Sequence, residues 1–129
     1  MENRRQTFRH AFDPEEALRV ELHLPGKPGV HACELLDLSL GGMRIRLPQK
    51  LPELQVGDSV TARLIGREAP NPVVLGLALP ARIVYLRQHD DACLCGLQFL
   101  PTASPSTNER IERTLASFLL AEQRRKRQR

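Results

Sequence analysis

Between residues 17 and 99 the chain is a succession of short runs in which apolar residues fall at every second position, each run cut off by proline, glycine or small polar residues. Leu18, Val20, Leu22 and Leu24 alternate with Arg19, Glu21 and His23. Met43, Ile45 and Leu47 alternate with Arg44 and Arg46, and Cys93, Cys95, Leu97 and Phe99 alternate with Leu94, Gly96 and Gln98. A period of two sends one set of side chains to each face of a strand, so these runs read as strands with one buried face. Residues 30–36 and the run through Val60, Ala62 and Leu64 add two more. Residues 73–79 and 81–87 make another pair, or one long strand bent at Pro80, since proline donates nothing to a ladder. Pro25-Gly26-Lys27-Pro28-Gly29, Asn71-Pro72 and the polar tip His89-Asp90-Asp91 separate them. Six or seven short strands at near-regular spacing predict an all-β fold, a small antiparallel barrel or sandwich.

The period changes after the break at residues 101–105. Ser106-Thr107-Asn108-Glu109 has the form of a capping box, and Ile111, Leu115, Phe118 and Leu119 then share one helical face. A C-terminal α-helix packed on the barrel is expected. With 129 residues the chain has room for one domain with a modest core. It divides into an arginine-bearing arm without core residues at 1–12, predicted to be flexible, a barrel at 13–103, and the helix with a basic tail at 104–129. The net charge of +4 is unevenly placed: Arg4, Arg5 and Arg9 lie at one end, Arg124 to Arg129 at the other, and the body between carries more Asp and Glu than Lys and Arg. The terminal basic run suits the negative end of a helix dipole and reads first as a solvated helix end.

No apolar run has the length of a membrane span and the first residues are charged, so a soluble, cytoplasmic protein is expected. Cys33, Cys93 and Cys95 are too few and too irregular for a disulfide framework. Alternation turns Cys93 and Cys95 to the same side as Leu97, which predicts reduced packing thiols rather than half of a metal site. His10, His23, His31 and His89 lack ligand-like spacing. With no nucleophile elbow and no phosphate-binding glycine loop, neither a catalytic centre nor a cofactor or metal is expected.

Two polar stretches remain. Asp37-Leu38-Ser39-Leu40-Gly41-Gly42 reads as a turn between two strands, able to present polar atoms outward and to let a ligand approach the main chain at Gly41 and Gly42. Arg4-Arg5-Gln6-Thr7-Phe8-Arg9 supplies planar guanidinium forks, which match phosphate oxygens and the O6 and N7 edge of guanine, and whose faces stack on purines. Asp37 complements them as an acceptor for the N1 and N2 donors of guanine.

These stretches resemble the two motifs of PilZ domains, the bacterial receptors for cyclic di-GMP: an arginine motif at Arg5-x-x-x-Arg9 and a second motif at Asp37-x-Ser39-x-x-Gly42. The likeness continues through Gly41-Gly42-Met43-Arg44-Ile45, Ala81-Arg82-Ile83-Val84-Tyr85, Gly96-Leu97-Gln98-Phe99-Leu100 and the closing helix. The resemblance implies a stand-alone, PilZ-like split barrel in which Arg5 and Arg9 hold phosphate and guanine, while Asp37, Ser39, Gly41 and Gly42 lie beneath a guanine. Arg4, just before the motif, implies two stacked ligand molecules per site. The arm is then expected to wrap onto the barrel with its ligand and to change a surface read by a downstream protein, in motility, exopolysaccharide or biofilm regulation, the protein being a monomer or dimer.

Two rival readings are carried forward. One is a small basic barrel that binds single-stranded nucleic acid. Such barrels stack bases on aromatic side chains, and with Phe8, Phe12, Tyr85, Phe99 and Phe118 as the whole aromatic set, no nucleic acid is expected as partner. The other is a PilZ-like adaptor that contacts proteins without binding nucleotide.

Overall fold

The computed structural model describes residues 9–11, 19–26, 29–48, 54–66 and 77–127. Arg4 and Arg5, the break at Asn71-Pro72 and the final two residues lie outside the described residues. Seven strands and one helix follow in order: β1 (Arg9–Ala11), β2 (Arg19–His23), β3 (His31–Ser39), β4 (Gly42–Leu47), β5 (Ser59–Gly66), β6 (Ala78–His89), β7 (Ala92–Phe99) and α1 (Pro105–Arg127).

Six of the strands close on themselves. β3 pairs with β2, β2 with β5, β5 with β6, β6 with β7, β7 with β4, and β4 returns to β3, every pair antiparallel. Closure leaves no free edge around the ring, and a barrel this small is filled by its own side chains. The alternation visible in the sequence supplies them: Val20 and Leu22, Cys33 and Leu35, Ile45 and Leu47, Ala62 and Leu64, Ala81 and Ile83, and Cys95 and Leu97 are all buried.

β1 stands outside this ring. β3 is nine residues long, and β2 pairs only with its first half, from His31 to Glu34. The remainder of that edge is taken by β1, with Arg9 opposite Ser39, His10 opposite Leu38 and Ala11 opposite Asp37. The end of the segment expected as an arm is therefore a strand, because β2 leaves unpaired backbone groups along β3 that a short extended peptide can satisfy.

Two other expectations are corrected, and one that the sequence leaves open is settled. The turn expected across Asp37 to Gly42 is confined to Leu40 and Gly41, since β3 runs on to Ser39 and β4 begins at Gly42. The uncertain join at Pro80 is resolved as one strand: Pro80 faces Thr61 on β5, while the ladder to β7 begins only at Ala81 and Phe99, so its missing N–H falls at the end of that ladder. The helix is capped by Ser104, whose Oγ accepts from the N–H of Thr107 at 3.2 Å, and not by Ser106. Pro105 then occupies the first helical position, where an N–H has no intrahelical partner anyway, and this moves the start upstream of the capping-box pattern. Asn108 ties the preceding loop to the helix, accepting from the N–H of Thr102 at 2.8 Å and from its hydroxyl at 2.7 Å. Leu115, Phe118 and Leu119 are buried on the inner helical face, and α1 lies against β1 and β3.

Candidate functional site

Two bulges decide which face the polar residues of the barrel wall occupy. Counting along β3 from Cys33 and Leu35, both inside, strict alternation carries Asp37 inward. The register instead skips Leu36: Leu35 faces Ile45, and Asp37 faces Arg44. The extra residue reverses the phase, so Leu38 enters the core while Asp37 and Ser39 lie on the outer wall. On β6 the register skips Val84, between Ile83 opposite Leu97 and Tyr85 opposite Gly96. Tyr85 is thereby turned outward, although it follows Ala81 and Ile83 at even spacing.

Asp37 and Ser39 are almost wholly covered despite their outward direction, at 3% and 6% exposure. Asp37 lies between β1 and β4, and its carboxylate holds the Arg44 guanidinium at 2.8 Å. Ser39 organises the turn: its Oγ accepts from the N–H of Gly41 at 3.2 Å, and its hydroxyl donates to the carbonyl of Gly42 at 3.4 Å. The carbonyl of Gly41 in turn accepts from the N–H of Phe99 at 2.9 Å, fastening the turn to β7. At Gly42 the reason for glycine is close approach, because a Cβ there would collide with the main-chain carbonyl of Leu97. The turn is held down on the barrel by contacts that only a bare backbone permits.

Next to this turn opens a cavity of about 360 Å³. Ser39, Gly41 and Gly42 form one end with Met43 and Arg44 of β4, Gly96 to Gln98 of β7 form the floor, and Val84 and Tyr85 of β6 form the far side. Gly96 again marks a close approach: the Tyr85 ring lies over it so tightly that a Cβ would meet the ring. Arg87 stands with its guanidinium carbon 5.6 Å from the centre of the Tyr85 ring, within the range of a cation–π contact. At the rim, Arg82 donates to Gln98 Oε1 at 3.0 Å. The cavity thus combines main-chain edges, hydroxyl and amide groups, a half-exposed guanidinium and one aromatic ring. It is suited to a flat, polar, anionic ligand.

Of the residues singled out from the sequence, Ser39, Gly41 and Gly42 line this cavity, and Asp37 reaches it through Arg44. Arg9 is brought by the β1–β3 register to the main chain opposite Ser39. Arg4 and Arg5 lie outside the described residues. Arg44, Tyr85, Gly96 and Gln98 were not named as site residues. The outward arginines of β4 were signalled by their strict alternation with core residues, whereas Tyr85 is hidden by the bulge beside it. The cysteines take no part: Cys33, Cys93 and Cys95 are all buried and unbridged. Burial, with a neighbouring thiol adding to it, pushes Cys33 and Cys95 up to about 12. Among the described residues no group of three or more His, Cys, Asp or Glu is placed to hold a metal, and no helix is long and apolar enough to cross a membrane.

A closed antiparallel barrel with a short strand laid along β3, a terminal helix against both, and a polar cavity at the β3–β4 turn defines a small β-barrel domain. The chain belongs to the PilZ family, whose domain profile matches residues 3–117. Among solved structures it is similar to the PilZ domain of YcgR from Escherichia coli, described with c-di-GMP, at 22% identity and a TM-score of 0.67 over 98% of this chain and 99% of that one. It is similar also to the Bacillus subtilis inhibitor of motility MotI/DgrA, at 18% identity and a TM-score of 0.66, over 98% of this chain and 54% of that one. A third likeness is to E. coli YcgR in complex with c-di-GMP, at 21% identity and 0.65, over 94% of this chain and 46% of that one. The chain thus spans about half the length of the last two. No curated protein matches it in sequence.

Proposed function

We propose that this chain is a cytoplasmic bacterial receptor for cyclic di-GMP that carries no catalytic activity of its own. The observation that carries the reading is the β1–β3 register, which lays the second arginine of the Arg5-x-x-x-Arg9 motif against Ser39 of the Asp37-x-Ser39-x-x-Gly42 motif. Two stretches thirty residues apart in sequence thereby share one strand ladder beside one cavity. Arg44 turns from Asp37 to the ligand, Asp37 then accepts from the guanine N1 and N2 donors, and Ser39 with the bare backbone at Gly41 and Gly42 binds the remaining polar edge. Arg5 and Arg9 take phosphate and guanine. Arg4 extends the arginine row to a second, stacked ligand, so two molecules bind per site.

Binding engages the arginines of the segment before β1 and fixes that segment on the barrel, at a cost in ordering entropy offset by charge-assisted hydrogen bonds of about 1.5–3 kcal/mol each. The rearranged surface beside β1 and α1 is what a partner protein reads, and the likeness to an inhibitor of motility makes motility one output to examine. Calorimetric titration with cyclic di-GMP, GTP and a single-stranded oligonucleotide tests the proposal. Only cyclic di-GMP is expected to bind, at about two per chain, and Arg9→Ala is expected to weaken it by about tenfold or more. Absence of heat with all three ligands sinks the proposal in favour of a non-binding adaptor, and preference for the oligonucleotide makes the chain a nucleic-acid binder.

A further inference from the structure

The barrel covers α1 only as far as Glu122, which is 4% exposed. Gln123 is half-buried, Arg124 is exposed, and the helix runs on to Arg127. Its final turn, Arg124 to Arg127, consists of cations alone. One or two cations there suffice to complement the helix dipole, whereas crowded like charges oppose helix formation. With Arg129, residues 124–129 hold five of the chain's nineteen Lys and Arg, and without them the net charge of +4 becomes −1. The basic character of the whole chain is thus concentrated in one short stretch, at a cost to the turn that bears it.

The helical face leading to that turn is matched to it. Leu115, Phe118 and Leu119 are buried, whereas Arg113, Ser117, Leu120, Ala121 and Arg124 are exposed, at spacings of three and four that place them on one side. Leu120 is the one large apolar residue exposed on α1 among the described residues. From Arg113 onward the only acidic residue is Glu122, which is buried, so no exposed carboxylate interrupts this face. A short apolar stretch flanked by cations suits a helix that lies on an anionic lipid surface, its apolar side chain among the headgroups and its cations on the phosphates. No helix among the described residues is long and apolar enough to cross a bilayer, so such a contact is peripheral.

We propose that the exposed face of α1 from Arg113 to Arg124, with the basic turn that follows, docks on the surface of an anionic phospholipid membrane. Nucleic acid is the poorer occupant of the same charge. Single-strand binders stack bases on aromatic rings, and Phe118, the one aromatic residue of α1, is buried. A duplex extends past one helix end and brings its phosphates against a body whose net charge is −1.

The test is sedimentation of the full chain with vesicles of phosphatidylglycerol mixed with phosphatidylethanolamine, and with vesicles of phosphatidylcholine alone. Binding to the anionic vesicles at low salt is expected, lost at about 0.5 M salt, with little binding to phosphatidylcholine. Arg124→Gln, Arg125→Gln, Lys126→Gln and Arg127→Gln together, which keep good helix formers, are expected to weaken binding by about a hundredfold or more. Arg124→Lys, Arg125→Lys and Arg127→Lys together are expected to stay within about threefold of the parent, because a lipid surface reads charge rather than guanidinium geometry. Leu120→Gln is expected to weaken binding severalfold. No sedimentation of the unaltered protein with anionic vesicles at low salt overturns the proposal, whatever the variants do. A glutamine variant that binds like the parent overturns it by placing the attraction elsewhere on the chain. Loss of binding in the lysine variant overturns it in favour of a partner that reads guanidinium forks. Binding to a DNA duplex at lower protein concentration than to the vesicles, lost in the glutamine variant, assigns the helix to nucleic acid instead.

Discussion

The carboxylate of Asp37 and the guanidinium of Arg44 meet at 2.8 Å across the β3–β4 ladder, the acid side chain 4% exposed and the base 45%. Attraction between an exposed pair contributes at most about 1 kcal/mol, while a buried charge that loses its partner costs several. This pair lies between those limits. A double-mutant cycle of Asp37→Ala and Arg44→Ala in urea denaturation is expected to give a coupling near 1 kcal/mol. A coupling indistinguishable from zero would mean that Arg44 merely rests on the acid.

Gly42 faces the Leu97 carbonyl, and main chain cannot yield as a side-chain tip does. Gly42→Ala is expected to destabilise the barrel by roughly 1–3 kcal/mol and to displace the turn bearing Ser39. Thermal unfolding reads the first effect. Loss of ligand binding in the fraction that stays folded reads the second.

Ser104 caps α1 through the N–H of Thr107. Ser104→Ala is expected to cost about 1 kcal/mol, and Ser106→Ala much less, because Ser106 lies past the cap. A drop in melting temperature for Ser106→Ala equal to that for Ser104→Ala would return the helix start to the capping-box position.

Burial holds the Cys33 and Cys95 thiols near 12, against an ordinary value of 9.0. The unfolded chain therefore releases these protons at lower pH than the folded one. Their stabilising contribution is complete below pH 9 and is lost as pH climbs from there toward 12, by up to about 1.4 kcal/mol per unit for each thiol. Urea midpoints are expected to fall between pH 8 and 10.5, and to fall less steeply in a Cys33→Ala, Cys95→Ala variant. In the native state at pH 8 both thiols should resist iodoacetamide.

Much of this architecture is legible in the residues. Period-two runs mark the strands because a barrel wall needs one apolar face, and the same runs predict a core containing Leu22, Ile45, Leu64 and Cys95. Ser39, Gly41 and Gly42 announce a tight turn through their own chemistry. What sequence reasoning misses depends on long-range pairing. β1 exists because β3 outruns β2, which no pattern within residues 9–11 reveals. Ser106 has the better local capping signal, but Pro105 after Ser104 starts the helix earlier. Tyr85 follows Ala81 and Ile83 at even spacing, so its outward direction shows only in the register that skips Val84.

Those skipped residues make the binding face depend on pairing register as well as on composition. Pairing Leu36 or Val84 into its ladder changes no motif residue, yet an unbroken alternation through it then sends Asp37 and Ser39, or Tyr85, toward the barrel interior. Two chains with identical motifs and nearly identical cores can thus differ by one bulge in whether they present a site at all. In comparing members of this family, the number of residues between the last core position of a strand and its motif carries information that the motif letters do not.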